Sequence, residues 1–250
     1  MKQRLCMTLV FIAAAALAAC GGGSGSGGGG LPSTSAVPTA TPSGMFVDQM
    51  SSGFAYAQPT ISVSMPALPK VGDVLVLALW NNGLTSGAPK TYTAPSGWTL
   101  IDDGVEYYAA YQAFSHVVTS ADTNAYVFTA SEPVRQTLWM AADVAHVSTS
   151  APIDQVGNAF FHDSAVYGTP TLAPSHPGGL ALTFNMPITT ATETWTNPTG
   201  WTLGMKPTYY WDGEVLYQNE PGTSPIAESS TLSTPAFGWS ALVLLNPSGA

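Results

Sequence analysis

The chain has 250 residues, of which only 8% are charged, with 15 Asp and Glu against 6 Lys and Arg and a net charge of −9. An acidic chain lacks the basic footprint that nucleic-acid binding requires, and electrostatic adhesion to anionic lipid is disfavoured for the same reason. Past residue 44 the only cations are Lys70, Lys90, Arg135 and Lys206, so the surface must be built from Ser, Thr, Asn, Gln and Gly.

The first element in chain order is an export signal. Lys2 and Arg4 form a basic start, and Leu5 to Ala19 is apolar and ends in small residues. The run falls short of the ~20 apolar residues that a transmembrane helix needs, and it fits a signal peptide. Leu17-Ala18-Ala19-Cys20 resembles the lipobox of bacterial lipoproteins. That resemblance implies cleavage before Cys20 and lipidation of its sulfur, with residues 1–19 removed. A single acyl chain holds a protein weakly to a bilayer and two or more hold it stably. Gly21 stands where an aspartate would signal inner-membrane retention in enteric bacteria. The resemblance therefore implies a cell-envelope protein anchored at the outer membrane.

Residues 20–44 read as a tether. Gly21 to Gly30 is almost pure Gly and Ser, a flexible coil, and Pro32, Pro38 and Pro42 stiffen the stretch from Leu31 to Gly44. With Cys6 in the signal and Cys20 lipidated, residues 45–250 hold no cysteine. Disulfides and cysteine-based metal or catalytic sites are thereby excluded from that domain.

The remaining elements read as strands. Val74 to Trp80 is a continuous apolar run after a Gly72-Asp73 turn, the pattern of a strand buried on both faces. Glu106 to Val118, Ala125 to Thr129, Leu138 to Val147, Leu180 to Met186, Glu214 to Gln218 and Trp239 to Leu245 read likewise, with Pro, Gly, Asn and Asp between them. No stretch after the signal has sustained helical periodicity.

An internal repeat organises these strands. Ala94-Pro95-Ser96-Gly97-Trp98-Thr99-Leu100 recurs as Asn197-Pro198-Thr199-Gly200-Trp201-Thr202-Leu203. Each copy follows a Gly-led apolar strand, opening at Gly72 or at Gly178-Gly179. Each is followed by a Tyr pair (Tyr107-Tyr108, Tyr209-Tyr210), a Tyr-Gln pair (Tyr111-Gln112, Tyr217-Gln218) and a Trp (Trp139, Trp239). Two similar half-domains, about 65–150 and 170–250, are expected. They predict an all-β fold: a jelly-roll-like double-sheet sandwich. The order of these motifs resembles that of β-sandwich modules in bacterial surface proteins and phage tail proteins, which implies display or binding more than catalysis.

Candidate sites are drawn from aromatic and acidic residues. Trp98, Trp201, Trp139 and Trp239 recur at matching places, so they read as structural plugs rather than sugar-stacking platforms. Tyr209, Tyr210, Trp211 and Asp212 are the candidate ligand-binding residues, because neighbours on a strand face opposite sides and cannot all be buried. Asp102-Asp103-Gly104 with Glu106 offers calcium-type oxygens without the EF-hand spacing, and reads as a solvated turn. No paired-carboxylate string, metal-spaced histidines or Gly-x-Ser-x-Gly elbow occurs. The expectation is a lipid-anchored binding or adhesion module with no catalytic residue, no metal and no cofactor. Its partners would be the membrane, through the anchor, and a neutral glycan or an envelope protein. A carbohydrate-active enzyme on the same scaffold and a ligand-free structural lipoprotein are the alternatives.

Overall fold

The computed structural model describes residues 44–82, 90–189, 193–207, 209, 211–219 and 221–250. The expected signal, Cys20 and the tether, apart from Gly44, lie outside the described residues, as does Tyr210. No helix among the described residues is long and apolar enough to cross a membrane.

Eleven strands are described, all paired antiparallel. The first half supplies β1 (Phe46–Ser64), β2 (Val74–Asn82), β3 (Trp98–Glu106), β4 (Ala109–Val117) and β5 (Ala125–Ala145). The second supplies β6 (Ile153–Gly168), β7 (Leu180–Ile188), β8 (Trp195–Thr196), β9 (Thr202–Met205), β10 (Glu214–Asn219) and β11 (Ser229–Leu245). One sheet runs β1-β5-β2-β4-β3 and the other β6-β11-β7-β10-β9, with β8 appended to β11. Each half thus builds one sheet, and the two share one strand order. The fold is an all-β double-sheet sandwich.

The sheets meet through alternate residues, as a period of two requires. Val74, Val76, Ala78 and Trp80 from β2 share one buried cluster with Leu180, Leu182, Phe184 and Met186 from β7. The intervening residues Leu75, Leu77 and Leu79 face outward, yet they are as buried as their neighbours. They are covered by Ile61 and Val63 at the end of β1, by Tyr126 and Phe128 at the start of β5, and by Tyr92 and Trp98. The β1–β5 ladder is interrupted between Gln58 and Thr60, so its far end can fold over the outer face of its own sheet. This covering explains why β2 lacks the polar alternation of a half-exposed strand.

Three sequence expectations change. Glu106–Val118 is not one strand, because the chain turns at Tyr107 and Tyr108 between β3 and β4. Ala125–Thr129 and Leu138–Ala145 belong to one long strand, β5. Asp102 and Asp103 lie in β3 rather than in a turn, with Asp102 accepting the Asn158 side-chain amide at 2.8 Å. The tryptophan pair is also out of register. Trp139 lies opposite Leu79 and faces outward, whereas Trp239 lies opposite Met186 and faces the central core. A slip of one residue moves a side chain to the other face, and the residue in Trp139's place is Ser240, opposite Asn185.

Candidate functional site

The three described residues of the Tyr209–Asp212 segment have separate environments. Tyr209 is exposed, and its hydroxyl donates to the Ser52 carbonyl at 3.0 Å. Trp211 is fully buried, 5.2 Å from the Trp80 ring and edge-on to Phe54. Asp212 is buried and accepts the Glu193 backbone N–H at 2.6 Å, which ties the turn to the segment before β8. These contacts hold a chain reversal together, and they leave Tyr209 as the exposed ring among the described residues of this segment.

Their counterparts in the first half line a groove. β3 and β4 form a hairpin in which Glu106 opposes Ala109, so Tyr107 and Tyr108 are its two loop residues. Two-residue hairpins require left-handed backbone and favour Asn or Gly there. Tyr107 has φ 52°, a conformation that costs an ordinary L-residue about 1–2 kcal/mol. A strained bulky residue at an exposed turn is the kind of outlier that motivates a functional hypothesis.

The hairpin tip leans toward the second sheet. Tyr107 lies 5.6 Å from the His162 ring and 6.1 Å from Phe160, both on β6. His162 in turn meets Phe237 of β11 at 4.3 Å, edge to face. Between them runs a groove of about 220 Å³, floored by Trp80 and Ile188 and edged by Asn82 and Glu106. Tyr107, Tyr108 and Phe237 are 60%, 49% and 40% exposed, so three large rings are presented to solvent at one end of the sandwich. The groove is smaller than the ~300–1,000 Å³ of drug-sized pockets, and suits one small ring of a longer ligand. Glu106 is the sole carboxylate among its described lining residues.

The carboxylates cluster elsewhere, in two groups. On the outer face of the second sheet, Asn185 and Ser240 stand where the first sheet has Leu79 and Trp139. The Asn185 amide donates to Glu214 at 3.0 Å and to Glu228 at 3.2 Å, while its oxygen accepts from Ser240 at 2.6 Å. Ser230 also donates to Glu228. Burial pushes Glu228 up to about 7 and raises Glu214, partly offset by these hydrogen bonds. Both acids are essentially sealed from solvent, so they are poorly placed to meet a substrate.

The second group is Asp48, Asp73 and Asp143, which bring one oxygen each to within 4.8 Å of one another. Lys70 pairs with Asp48 at 2.6 Å, and the Gln49 side chain donates to Asp143 at 2.9 Å. Burial raises Asp73, and it pushes Asp143 up to about 6. Of all described groups, this is the one whose residue types and spacing could hold a metal ion.

Sequence reasoning reached the Tyr107-Tyr108 pair only as a repeat landmark. The sequence reading runs a strand straight through the pair from Glu106 to Val118, because the turn there carries none of the usual Asn or Gly residues. The acidic trio left no signal, since its members are 25 and 70 residues apart and meet only through sheet pairing.

No family model matches the chain, and neither curated proteins nor solved structures yield a match.

Proposed function

We propose that this is a lipid-anchored cell-envelope protein whose sandwich binds a neutral glycan in the groove at Tyr107 and Tyr108. The observation that carries the reading is the ring cluster of Tyr107, Tyr108, Phe237 and His162 around an open groove with few charges. Aromatic faces with polar edges suit sugar rings, which offer apolar C–H faces and peripheral hydroxyls. Asn82, Glu106 and His162 supply hydrogen-bonding groups at the rim. The acidic chain repels anionic polymers, which disfavours acidic polysaccharides. The lipobox and the Gly/Ser/Pro tether support anchoring at the outer membrane, and a jelly-roll-like arrangement of the sandwich belongs to the same proposal.

Binding is favoured over hydrolysis by the single lining carboxylate. Glycoside hydrolysis usually uses two, about 5–10 Å apart across the scissile bond. The test is a glycan array probed with the full chain, followed by incubation with each hit. Retention without new reducing or unsaturated ends is the expected outcome, and product release would move the protein to the enzyme class. Anchoring is tested separately. Cys20→Ser should release the protein from membranes, and unchanged membrane fractionation would overturn that part.

A further inference from the structure

The two halves carry the same irregularity at the start of their first strands. In β1 the pairing with β5 skips Asp48, since Val47 opposes Val144 and Gln49 opposes Asp143. In β6 the pairing with β11 skips Asp154, since Ile153 opposes Leu245 and Gln155 opposes Leu244. The repeat therefore extends to Val47-Asp48-Gln49-Met50 and Ile153-Asp154-Gln155-Val156, each with a bulged aspartate. A bulge re-aims the side chain of its extra residue.

The surroundings of the two bulges differ. Asp154 accepts the Ser175 backbone N–H at 2.6 Å and meets no other carboxylate cluster among the described residues. The positions matching Asp73 and Asp143 in the second half are Gly179 and Leu244, as the shared ladder registers define them. The fold thus closes this corner without carboxylates in one half, and sets two additional buried ones against the bulge in the other.

Those two acids are incompletely satisfied. Asp143 is fully buried and its Oδ1 has no hydrogen-bond partner, while Asp73 is 6% exposed and its Oδ2 has none. Buried carboxylate oxygens without partners are costly, and the two carboxylates that carry them each bring an oxygen to within 4.8 Å of one another and of Asp48. Oxygens bound to one calcium ion lie about 2.3–2.6 Å from it, hence up to roughly 5 Å from each other, which the observed spacing satisfies. Asp48 itself is exposed, so an ion and its water ligands can approach the trio from its side.

We propose that Asp48, Asp73 and Asp143 form a binding site for a divalent cation of the calcium type. The ion would join the start of β1, the turn before β2 and the end of β5, where the chain enters the domain from the tether. The site lies at the start of β2, whereas the aromatic groove lies at its end, roughly 25–30 Å away along nine residues. The ion's role is therefore to fix the first strand, separate from any ligand in the groove.

The experiment uses the full chain in detergent, stripped with EDTA at pH 7.5. Calcium at about 100 times its dissociation constant should raise Tm by roughly 5–10 °C. Asp143→Asn should abolish that shift, and Asp154→Asn should leave it intact. Terbium luminescence on the unmodified chain, displaced by calcium at one equivalent, gives a readout that needs no variant to fold. The proposal is overturned if calcium, manganese and magnesium leave Tm unchanged and terbium binds nowhere, or if Asp154→Asn loses the shift equally.

Discussion

Replacing Glu228 by glutamine should make the protein more stable near pH 8 and leave it unchanged near pH 4.5. In the folded chain Glu228 is sealed beside Glu214, and burial lifts it from an ordinary 4.5 to about 7. Between those values the folded state keeps a proton that the unfolded state has lost. Stability must then fall as pH rises from about 4.5 to 7, and level off above. At about 1.4 kcal/mol per unit, the span corresponds to about 3 kcal/mol. Glutamine keeps the shape of the protonated acid, and its oxygen can accept from Asn185 or Ser230, so it forgoes only the ionisation. In a domain of this size, roughly 6–12 °C of Tm is at stake at pH 8. Asp143, pushed up to about 6, contributes in the same direction in both chains and cancels in the difference. Urea unfolding of both proteins at pH 4.5, 6 and 8 measures the effect. Parallel pH profiles would refute the reasoning, because they would mean that Glu228 is solvated in the folded state.

Other perturbations test the packing and the groove. Gly53→Ala would drive a methyl group into the Trp139 indole, which lies across it on β5, and overpacking of this kind costs about 1–3 kcal/mol in denaturant unfolding. Trp211→Ala should cost about 3–5 kcal/mol by emptying the space between Trp80 and Phe54, as calorimetry would register. Tyr107→Asn removes left-handed strain and also ring contacts, so its stability should stay within about 1 kcal/mol of the parent while glycan retention is lost. Acidification acts on a different group. Despite burial, hydrogen bonds from Thr119 and His116 hold Asp122 below the ordinary carboxylate range. Asp122→Asn should therefore be less stable than the parent at pH 6, with the gap closing as pH falls below 4, as paired melts would record.

β2, β4 and β7 are legible in the sequence because they are buried on both faces and are mostly apolar, and β10 is legible through Val215-Leu216-Tyr217. β1 and β6 escape such a reading. They are edge strands, and segments such as Ser51-Ser52-Gly53 and Gly157-Asn158 show neither an apolar run nor clean alternation. β9 has only four residues, and Gly204 interrupts it. The repeat is legible through its Gly-Trp-Thr-Leu turns, but Trp139 and Trp239 match in order and not in register, because a slip of one residue leaves composition unchanged and reverses the face. Tyr107 and Tyr108 line a groove and Tyr209 buttresses a turn, a difference set by residues that are distant in sequence. Phe160 and His162 approach Tyr107, with Phe237 against His162, whereas Tyr209 reaches the backbone of Ser52.

Isothermal titration of the full chain with a neutral oligosaccharide selected on the array, repeated with Tyr107→Ala and Tyr108→Ala, tests the binding groove most directly. Saturable binding by the parent, weakened at least tenfold by either variant with the fold intact by circular dichroism, is the predicted result. Equal affinity in all three proteins would contradict it and send the ligand, if any, to another face of the sandwich.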